Sequence, residues 1–361
     1  MKVKIGELTK IRTGKLDANA ASLDGEYPFF TCSKEPLRIS TYAYDCECVL
    51  VAGNGDLNVK YYNGKFNAYQ RTYIIEDNGS GKLYMPYLYY YMCMYVEELR
   101  KQAIGGVIKY IKLENLTNAL IEIPELEKQK VIVEKLSKLK GIIDNKKYQM
   151  AKIDGLVKAR FVELFGDTVL NPFGWEKELL GTICDVRDGT HDSPQYFNIG
   201  FPLVTSKNVT GGIIDLTDCS LICEKDYNKI NERSKVDIGD IIMPMIGTVG
   251  KPVIVDIEPN FAIKNVSLIK FKSDSKVLNI YIRALLQSDY FDDAVLSKVR
   301  GGTQKFISLG DIRKLEILVP PLELQEQFAA FVEQSEKSKF DKHDNIFTRD
   351  KTYEKTTTNP N

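Results

Sequence analysis

An internal repeat constrains this sequence more than any other feature. Residues 105–129 match residues 301–325 at a constant offset of 196 without a gap, and 10 of the 25 positions are identical. A looser match relates residues 68–75 to residues 262–269. The identical pairs are Gly105/Gly301, Gly106/Gly302, Lys109/Lys305, Ile111/Ile307, Leu113/Leu309, Ile121/Ile317, Pro124/Pro320, Leu126/Leu322, Glu127/Glu323 and Gln129/Gln325. Self-similarity at a fixed spacing indicates a duplicated unit, so we predict two similar domains in the 361 residues.

Short β-prone runs broken by Gly, Pro and Asn open each unit, and a helix-like stretch follows them. The predicted strands are 48–51, 59–62 and 72–75 in the first unit, and 240–243, 252–255 and 266–271 in the second. The predicted helices are 85–104 and 277–299. Because the strands precede the helix instead of alternating with helices, the pattern predicts an α+β fold and not a parallel nucleotide-binding sheet.

A long helix is predicted from Leu126 to Phe165. Eight of its ten seam positions, spaced alternately by four and three residues, are apolar, which is typical of a coiled coil. These positions are Ile132, Leu136, Leu139, Ile143, Lys146, Met150, Ile153, Val157, Arg160 and Leu164. The matching helix after Pro320 is the natural partner, although its pattern is lost after about residue 340. The alternative is a helix that packs on a domain core.

The predicted domains follow from these elements. They are 1–123 for the first domain, 124–166 for the central helix, 167–319 for the second domain, and 320–361 for a C-terminal helix that is truncated or degenerate after about 340.

Composition excludes several classes of protein. The 43% apolar and 27% charged residues are ordinary globular values, and we find neither an apolar run long enough for a membrane span nor a signal peptide. We therefore expect a soluble, cytoplasmic protein. Seven cysteines and two histidines lack the spacing of a zinc site, so no metal is predicted and free thiols are expected. Equal numbers of basic and acidic residues argue weakly against a DNA-binding protein that acts alone.

Catalytic motifs are not found. The segment Gly247-Thr-Val-Gly-Lys251 has the wrong spacing for a phosphate-binding loop and continues into Pro252. Asn171-Pro-Phe173 follows a helix, which makes it a linker turn, and the Asp-x-Lys pairs at Asp144 and Asp274 have no partner acid that the sequence can place. We therefore predict no catalytic residue.

Candidate binding residues occur at corresponding places in the two units. Gly-Gly turns flanked by cations suit phosphates, while amide and guanidinium groups read base edges. The candidates are Arg100, Lys101, Gly105, Gly106, Lys109, Gln70 and Arg71 in the first unit, and Arg300, Gly301, Gly302, Thr303, Gln304, Lys305, Lys264, Asn265, Thr190 and His191 in the second. The alternatives are a solvated hairpin turn, exposed strand ends and, for the loop from Asp188 to Pro194, an ordinary Asx turn.

Several of these segments together resemble the specificity (S) subunits of type I restriction–modification enzymes. The resemblance spans nearly the whole chain. It is carried by Gly301-Gly-Thr-Gln-Lys-Phe-Ile307, Ile317-Leu-Val-Pro-Pro-Leu-Glu-Leu-Gln-Glu-Gln327 with its copy at 121–129, Arg160-Phe-Val-Glu-Leu-Phe-Gly-Asp167 leading to Asn171-Pro-Phe-Gly-Trp175, and Asp188-Gly-Thr-His191.

The resemblance implies two target-recognition domains that each read one half of a split, asymmetric DNA sequence. It further implies that the long helices pair as an antiparallel coiled coil, which sets the unread spacer and docks two methyltransferase subunits, and that restriction subunits join them. S-adenosylmethionine, ATP and Mg would then belong to the partner subunits. The basic excess falls on 124–166, with 10 basic and 6 acidic residues, so weak DNA binding is expected from the chain alone.

Three further hypotheses stay open at this point. The segment 341–349 looks like foreign coding, which would shorten the helix pair and weaken one methyltransferase dock. The chain could be a decayed or decoy subunit that only binds other proteins. It could also be a solitary DNA-modifying enzyme, a methyltransferase or a nuclease.

Overall fold

The computed structural model describes residues 2–245, 251–294 and 307–353, with the stretch 339–353 described as backbone only. The chain divides into two compact units, Met1–Lys147 and Tyr148–Asn361. Both units combine antiparallel sheets with helices, so the predicted α+β class is confirmed.

The first unit contains a six-stranded sheet and a separate pair of strands. Its strands are β1 (Lys2–Lys4), β2 (Thr9–Thr13), β3 (Tyr27–Phe30), β4 (Leu37–Ile39), β5 (Tyr44–Ala52), β6 (Val59–Ala68), β7 (Thr72–Asp77) and β8 (Leu120–Glu122). Its helices are α1 (Ile5–Leu8), α2 (Met85–Gln102) and α3 (Leu113–Thr117), and the long α4 (Leu126–Phe165) begins in this unit and ends in the second. The sheet order is β2-β7-β5-β6-β3-β4, in which only the β3–β6 pair is parallel, while β1 pairs with β8.

Both faces of this sheet are covered. Alternate residues of a strand point to opposite sides, so neighbouring residues of one strand belong to two different cores. Val49 and Val51 of β5 belong to the same core as the buried face of α2, which repeats at helical spacing from Leu88 to Leu99. Leu50, between the two valines, belongs to a second core with Phe66 and other residues of the sheet. A strand buried on both faces reads as a continuous apolar run, which is why β5 is recognisable in the sequence.

The second unit repeats this plan with its sheet divided. Its strands are β9 (Glu176–Leu179), β10 (Asp185–Asp188), β11 (Phe201–Val204), β12 (Val209–Thr210), β13 (Ile213–Ile214), β14 (Ser220–Ile222), β15 (Ile241–Pro244), β16 (Val253–Ile254), β17 (Ala262–Ile263), β18 (Val266–Lys270) and β19 (Glu316–Val319). Its helices are α5 (Leu180–Ile183), α6 (Glu224–Ser234), α7 (Asn279–Leu286), α8 (Asp289–Ala294), α9 (Leu309–Arg313) and α10 (Leu322–Tyr353).

The divided sheet corresponds strand by strand to the sheet of the first unit. One part has the order β10-β18-β15-β16 and the other β14-β11-β17. The parallel β11–β17 pair matches β3–β6, and β9 pairs with β19 as β1 pairs with β8. The long strand β6 therefore corresponds to two short strands, β16 and β17. Between β4 and β5 the first unit has residues 40–43, whereas the second unit has a longer connection that contains α6.

One prediction about a helix needs correction. As far as residue 294 the predicted helix 277–299 is α7 followed by α8, because the hydroxyl of Ser288 donates to the carbonyl of Leu285 and closes the first helix at this point; residues 295–299 lie outside the described residues. The backbone of the last helix continues to Tyr353, and the truncated or degenerate helix pair after about residue 340 stays a prediction. The predicted helix Leu126–Phe165 is confirmed as α4.

The long helices contact each other at one place within the second unit. Phe161 and Phe165 of α4 pack their rings against Phe328 of α10, with centroid distances of 5.5 Å in each pair, and the three rings are buried. Farther along α4 the seam residues Leu139 and Ile143 are more than half exposed. The coiled coil along the rest of the seam stays a prediction.

A buried glutamine ties each long helix to its own unit. Gln129 accepts from the backbone N–H of Tyr84 at 2.9 Å, and its Nε2 donates to the carbonyls of Lys82 and Pro124 at 2.8 Å each. Gln325 repeats the arrangement with the N–H of Leu278 and the carbonyls of Lys276 and Pro320, at 2.8, 3.0 and 2.8 Å. Neither glutamine is exposed. The duplication therefore extends to individual hydrogen bonds.

Candidate nucleic-acid interface

Two candidate segments of the second unit, which are far apart in sequence, meet in the structure. The loop that begins at Asp188 lies against the tight turn between β17 and β18. The N–H of Thr190 donates to Ile263 O at 3.0 Å, and the N–H of Asn265 donates back to Thr190 O at 3.2 Å. A side chain on Gly189 would overlap the carbonyl of Ile263, so this close approach requires glycine. Thr190, His191, Lys264 and Asn265 therefore form one cluster.

His191 is held at the centre of this cluster by both ring nitrogens. Its Nδ1 lies 2.9 Å from Oδ1 of Asn265, and its Nε2 lies 2.8 Å from Oδ2 of Asp188. These hydrogen bonds, first with Asn265 and then with Asp188, raise the pKa of His191 above its ordinary value of 6.5. The imidazole nevertheless remains 63% exposed, which leaves it open to a ligand.

Charged side chains surround the imidazole. The carboxylate of Asp188 is only 9% exposed, and its second oxygen is paired with Arg233 of α6. Nζ of Lys264 donates to the hydroxyl of Ser193 at 2.6 Å. Asp188, Arg233 and Ser193 line a shallow cleft between the loop and α6, together with Lys229. The cleft presents cations and hydroxyl groups, which are side chains that contact phosphates and base edges, beside the carboxylates of Asp192 and Asp226.

The same backbone arrangement occurs in the first unit. Gly14 follows β2 and packs against the carbonyls of Ala68 and Tyr69, where a side chain would overlap them. The N–H of Gln70 donates to Leu16 O at 2.9 Å, as that of Asn265 donates to Thr190 O. Gln70 therefore corresponds to Asn265. This refines the predicted pairing of Gln70-Arg71 with Lys264-Asn265, because the turn of the first unit is one residue longer and Arg71 is the added residue. Gln70 and Arg71 are both exposed.

The Gly-Gly turn of the first unit is a closed loop. Ile104 and Tyr110 exchange backbone hydrogen bonds of 3.0 and 2.8 Å, and Gly105 adopts a positive φ of 118° that suits glycine. The turn projects Gly106 and Lys109 into solvent. This placement is compatible with the predicted contact to a ligand.

The two cations on the preceding helix differ in their availability. Arg100 is engaged within the protein, where it pairs with Glu97 and Asp56 and donates to Leu57 O at 2.9 Å. Lys101 is more exposed and pairs with Glu98 at 3.4 Å. Lys101 is therefore the more accessible of the two predicted cations.

The second Gly-Gly turn lies outside the described residues, and with it the predicted residues Arg300, Gly301, Gly302, Thr303, Gln304 and Lys305. The backbone hydrogen bond of the residue that follows this segment has a counterpart in the first unit. The N–H of the buried Ile307 donates to Met245 O at 3.0 Å, as the N–H of Ile111 donates to Gly53 O at 2.9 Å.

Sequence reasoning missed several residues of the cluster. Asp188 stood within the recognised loop, but nothing showed that its carboxylate would orient the imidazole. Arg233 comes from the helix in the longer connection of the second unit, for which the internal repeat gives no signal. Gly14 of the first unit was missed as well, because the strand that it follows, β2, is not among the predicted strands.

Among the described residues, no group of three or more His, Cys, Asp or Glu side chains could hold a metal ion. Within the same residues, no helix is both long and apolar enough to cross a membrane.

Two copies of one α+β unit, each followed by a long helix and each presenting the same loop-and-turn arrangement, define a protein with two similar binding modules. A family model described as the type I restriction modification DNA specificity domain matches residues 1–154 and again residues 172–346. The chain belongs to this family.

Known relatives agree with this assignment. The specificity subunit of the type I restriction enzyme EcoDI from Escherichia coli is 40% identical over 156 residues, which cover 43% of this chain and 34% of that protein. The MjaVIII specificity subunit from Methanocaldococcus jannaschii is 24% identical over 359 residues, or 91% of this chain and 84% of that protein. The crystal structure of the S subunit from M. genitalium shares the fold, with a TM-score of 0.60, 17% identity, and coverage of 99% of this chain and 94% of that chain.

Proposed function

We propose that this chain is the specificity subunit of a type I restriction–modification complex. Each unit reads one half of a bipartite, asymmetric double-stranded DNA target, and the long helices set the spacer and dock methyltransferase and restriction subunits. The chain itself contributes no catalytic residue. S-adenosylmethionine, ATP and Mg act on the partner subunits, and the complex works in the cytoplasm.

One observation supports this proposal most strongly. The same tight contact between a loop and a turn occurs once in each unit, and it places the amide residues Gln70 and Asn265 at corresponding positions. A protein that reads two separate half-sites needs one reading surface for each, and side-chain amides are suited to the donor and acceptor pattern of bases. The match to a DNA specificity domain supports DNA as the ligand of these surfaces.

The test is methylome sequencing of cells with and without this gene. We expect a bipartite methylated-adenine motif that disappears on deletion and returns with the wild-type gene. Gln70→Ala should relax recognition in one half of the motif and Asn265→Ala in the other, each by about 1–3 kcal/mol at one base pair. Gln287→Ala, which removes an exposed amide at the end of α7 away from the loop cluster, serves as the control and should leave the motif unchanged.

The alternatives give different results. A decoy subunit would bind methyltransferase subunits while the methylome stays the same. A solitary enzyme would bind S-adenosylmethionine as an isolated chain, whereas the proposed subunit should show no such binding in calorimetry. Variants at Gln70 and Asn265 that alter the same half of the motif would also contradict the proposal.

A further inference from the structure

The imidazole of His191 lies between two oxygen atoms that accept hydrogen bonds. Oδ1 of Asn265 faces Nδ1, and Oδ2 of Asp188 faces Nε2, at 2.9 and 2.8 Å. A neutral imidazole carries only one N–H and can donate only one of these bonds. Both bonds form when the ring is protonated. When it is neutral, the amide of Asn265 has to rotate by about 180° so that its NH₂ group donates to the bare nitrogen.

Asp188 decides which nitrogen loses its proton. Its carboxylate is nearly buried and pairs with Arg233 through the other oxygen, so it can only accept from Nε2. The Nε2–H bond is therefore kept in both protonation states. Nδ1, which faces Asn265, is the nitrogen that titrates.

The backbone of Asn265 is fixed, so only its side chain can respond. The residue has a positive φ of 55°, which asparagine tolerates better than most residues, and its N–H is bonded to Thr190 O. Among the described residues, no hydrogen bond is made by the end of the amide that points away from His191, and the residue is half-buried. That free end is an NH₂ donor when the imidazole is protonated, and a carbonyl acceptor when the imidazole is neutral.

These two ends read different bases. A donor recognises N7 of purines, O6 of guanine or O4 of thymine, whereas an acceptor recognises the amino groups of cytosine or adenine. Building on the proposed function, we propose that His191 is a positioning residue that selects which end of the Asn265 amide faces DNA, so that the base preference of the second unit at one position depends on pH. Asn265 is the residue that reads the base.

The charges that face the imidazole act in opposite directions on its protonation. Asp188 from β10 favours the protonated ring, Arg233 from α6 opposes it, and Lys264 beside Asn265 is engaged with Ser193. Only one other histidine, His343, occurs in the chain. The first unit contains no histidine at all in its sequence, so the half-site read around Gln70 provides an internal reference.

The first experiment selects bound DNA from a library in which both half-sites are randomised. The wild-type chain in complex with its methyltransferase subunits is compared with His191→Gln at pH 6 and pH 8.5. His343→Gln is the matched control, because it removes the other histidine. In the wild type and the control we expect one position of a single half-site to change its relative base preference by about tenfold between the two pH values, as expected for one hydrogen bond to a base edge. His191→Gln should abolish the change, and Asn265→Asp, which presents only acceptors, should prefer cytosine or adenine at both pH values.

The outcomes separate this inference from the proposed function. Sequence-specific binding with the same preference at both pH values overturns the role of His191 and leaves the proposed function intact. Binding without sequence preference at either pH overturns both. A pH-dependent preference that persists in His191→Gln also refutes the inference.

A second measurement does not depend on DNA. Nitrogen-15 labelling of the two histidines in the full chain allows each imidazole to be followed by NMR, and His191→Gln assigns the signals. We expect Nε2 of His191 to stay protonated while Nδ1 titrates. A neutral ring that carries its proton on Nδ1 would contradict the mechanism.

Discussion

The two buried glutamines that tie the long helices to their units allow a sharp test of the duplicated architecture. Replacing Gln325 by leucine removes all three hydrogen bonds of a fully buried side chain. Leucine has a similar size but can neither donate nor accept. The substitution therefore leaves the N–H of Leu278 and the carbonyls of Lys276 and Pro320 without their partner.

The expected cost follows from these three groups. Each buried backbone group left unpaired costs about 1–3 kcal/mol, and some relaxation toward water is expected, so Gln325→Leu should lower the free energy of unfolding by about 3–6 kcal/mol. This is a large part of the roughly 5–15 kcal/mol that stabilises a typical domain. With a slope of about 2 kcal/mol per molar urea, the unfolding midpoint should fall by about 1.5–3 M.

The single tryptophan makes the assay specific for one unit. Trp175 belongs to the second unit, where its indole N–H donates to Phe165 O at 3.0 Å. Its fluorescence during urea unfolding should therefore detect Gln325→Leu strongly. Gln129→Leu, the same change in the first unit, should be seen mainly by circular dichroism.

Gln327→Leu is the matched control, because Gln327 is an exposed glutamine two residues farther along the same helix. Its free energy of unfolding should stay within about 0.5 kcal/mol of the wild type. If Gln325→Leu costs less than about 1 kcal/mol, or no more than Gln327→Leu, the glutamine does not anchor the helix as argued.

Three further predictions concern other parts of the fold. Gly14→Ala forces a side chain onto the carbonyl of Ala68 and should destabilise the first unit by about 1–3 kcal/mol, measured by thermal unfolding followed by circular dichroism. Gly106→Ala is the control and should be nearly neutral, because the space around Gly106 is open. Equal effects of the two substitutions would refute the packing argument. Lys270→Met leaves the buried carboxylate of Asp240 without the ammonium group that lies 2.5 Å from it. The free energy of unfolding, followed by Trp175 fluorescence, should fall by about 3–5 kcal/mol. Adding Asp240→Asn to the same chain should largely reverse this loss. Because the folded state raises the pKa of His191, the imidazole stabilises the protein below about pH 6.5, and this stabilisation should be lost as the pH rises through the higher folded-state pKa. His191→Gln should remove this pH dependence from melting temperatures measured between pH 5.5 and 8.5. An unchanged pH dependence would contradict the hydrogen-bonded imidazolium.

Local features of the sequence predicted much of the fold. The bounds of α4 could be predicted because Pro124 precedes its first turn and Gly166 follows its last residue. The second half of strand β5, predicted as 48–51, could be recognised because a segment that is buried on both faces is apolar along its length. Helix α7 ends earlier than predicted because the bond from the hydroxyl of Ser288 to the preceding turn is a local competition that a hydrophobic pattern does not register.

The candidate site was less predictable, because its contacts join distant residues. His191 and Asn265 are 74 residues apart, and their hydrogen bond depends on Gly189 letting two backbone segments approach closely. Residue types alone identified both as candidates, but no spacing rule could pair them. The ion pair of Asp188 with Arg233 could not be predicted for another reason, because Arg233 belongs to a helix that occurs in only one copy of the repeat.

Several of the differences between the two units lie where their shared framework meets the candidate site. The framework repeats down to single hydrogen bonds, as Gln129 and Gln325 demonstrate, while the turn at Gln70 is one residue longer than the turn at Asn265. The connection that carries α6 adds a charged residue to one cluster only. A duplicated fold can diverge in what it binds without losing stability when changes fall on loops and turns held by a conserved core. Under the proposed function, two units that are alike in their cores and different at this surface are therefore expected to bind two unlike half-sites.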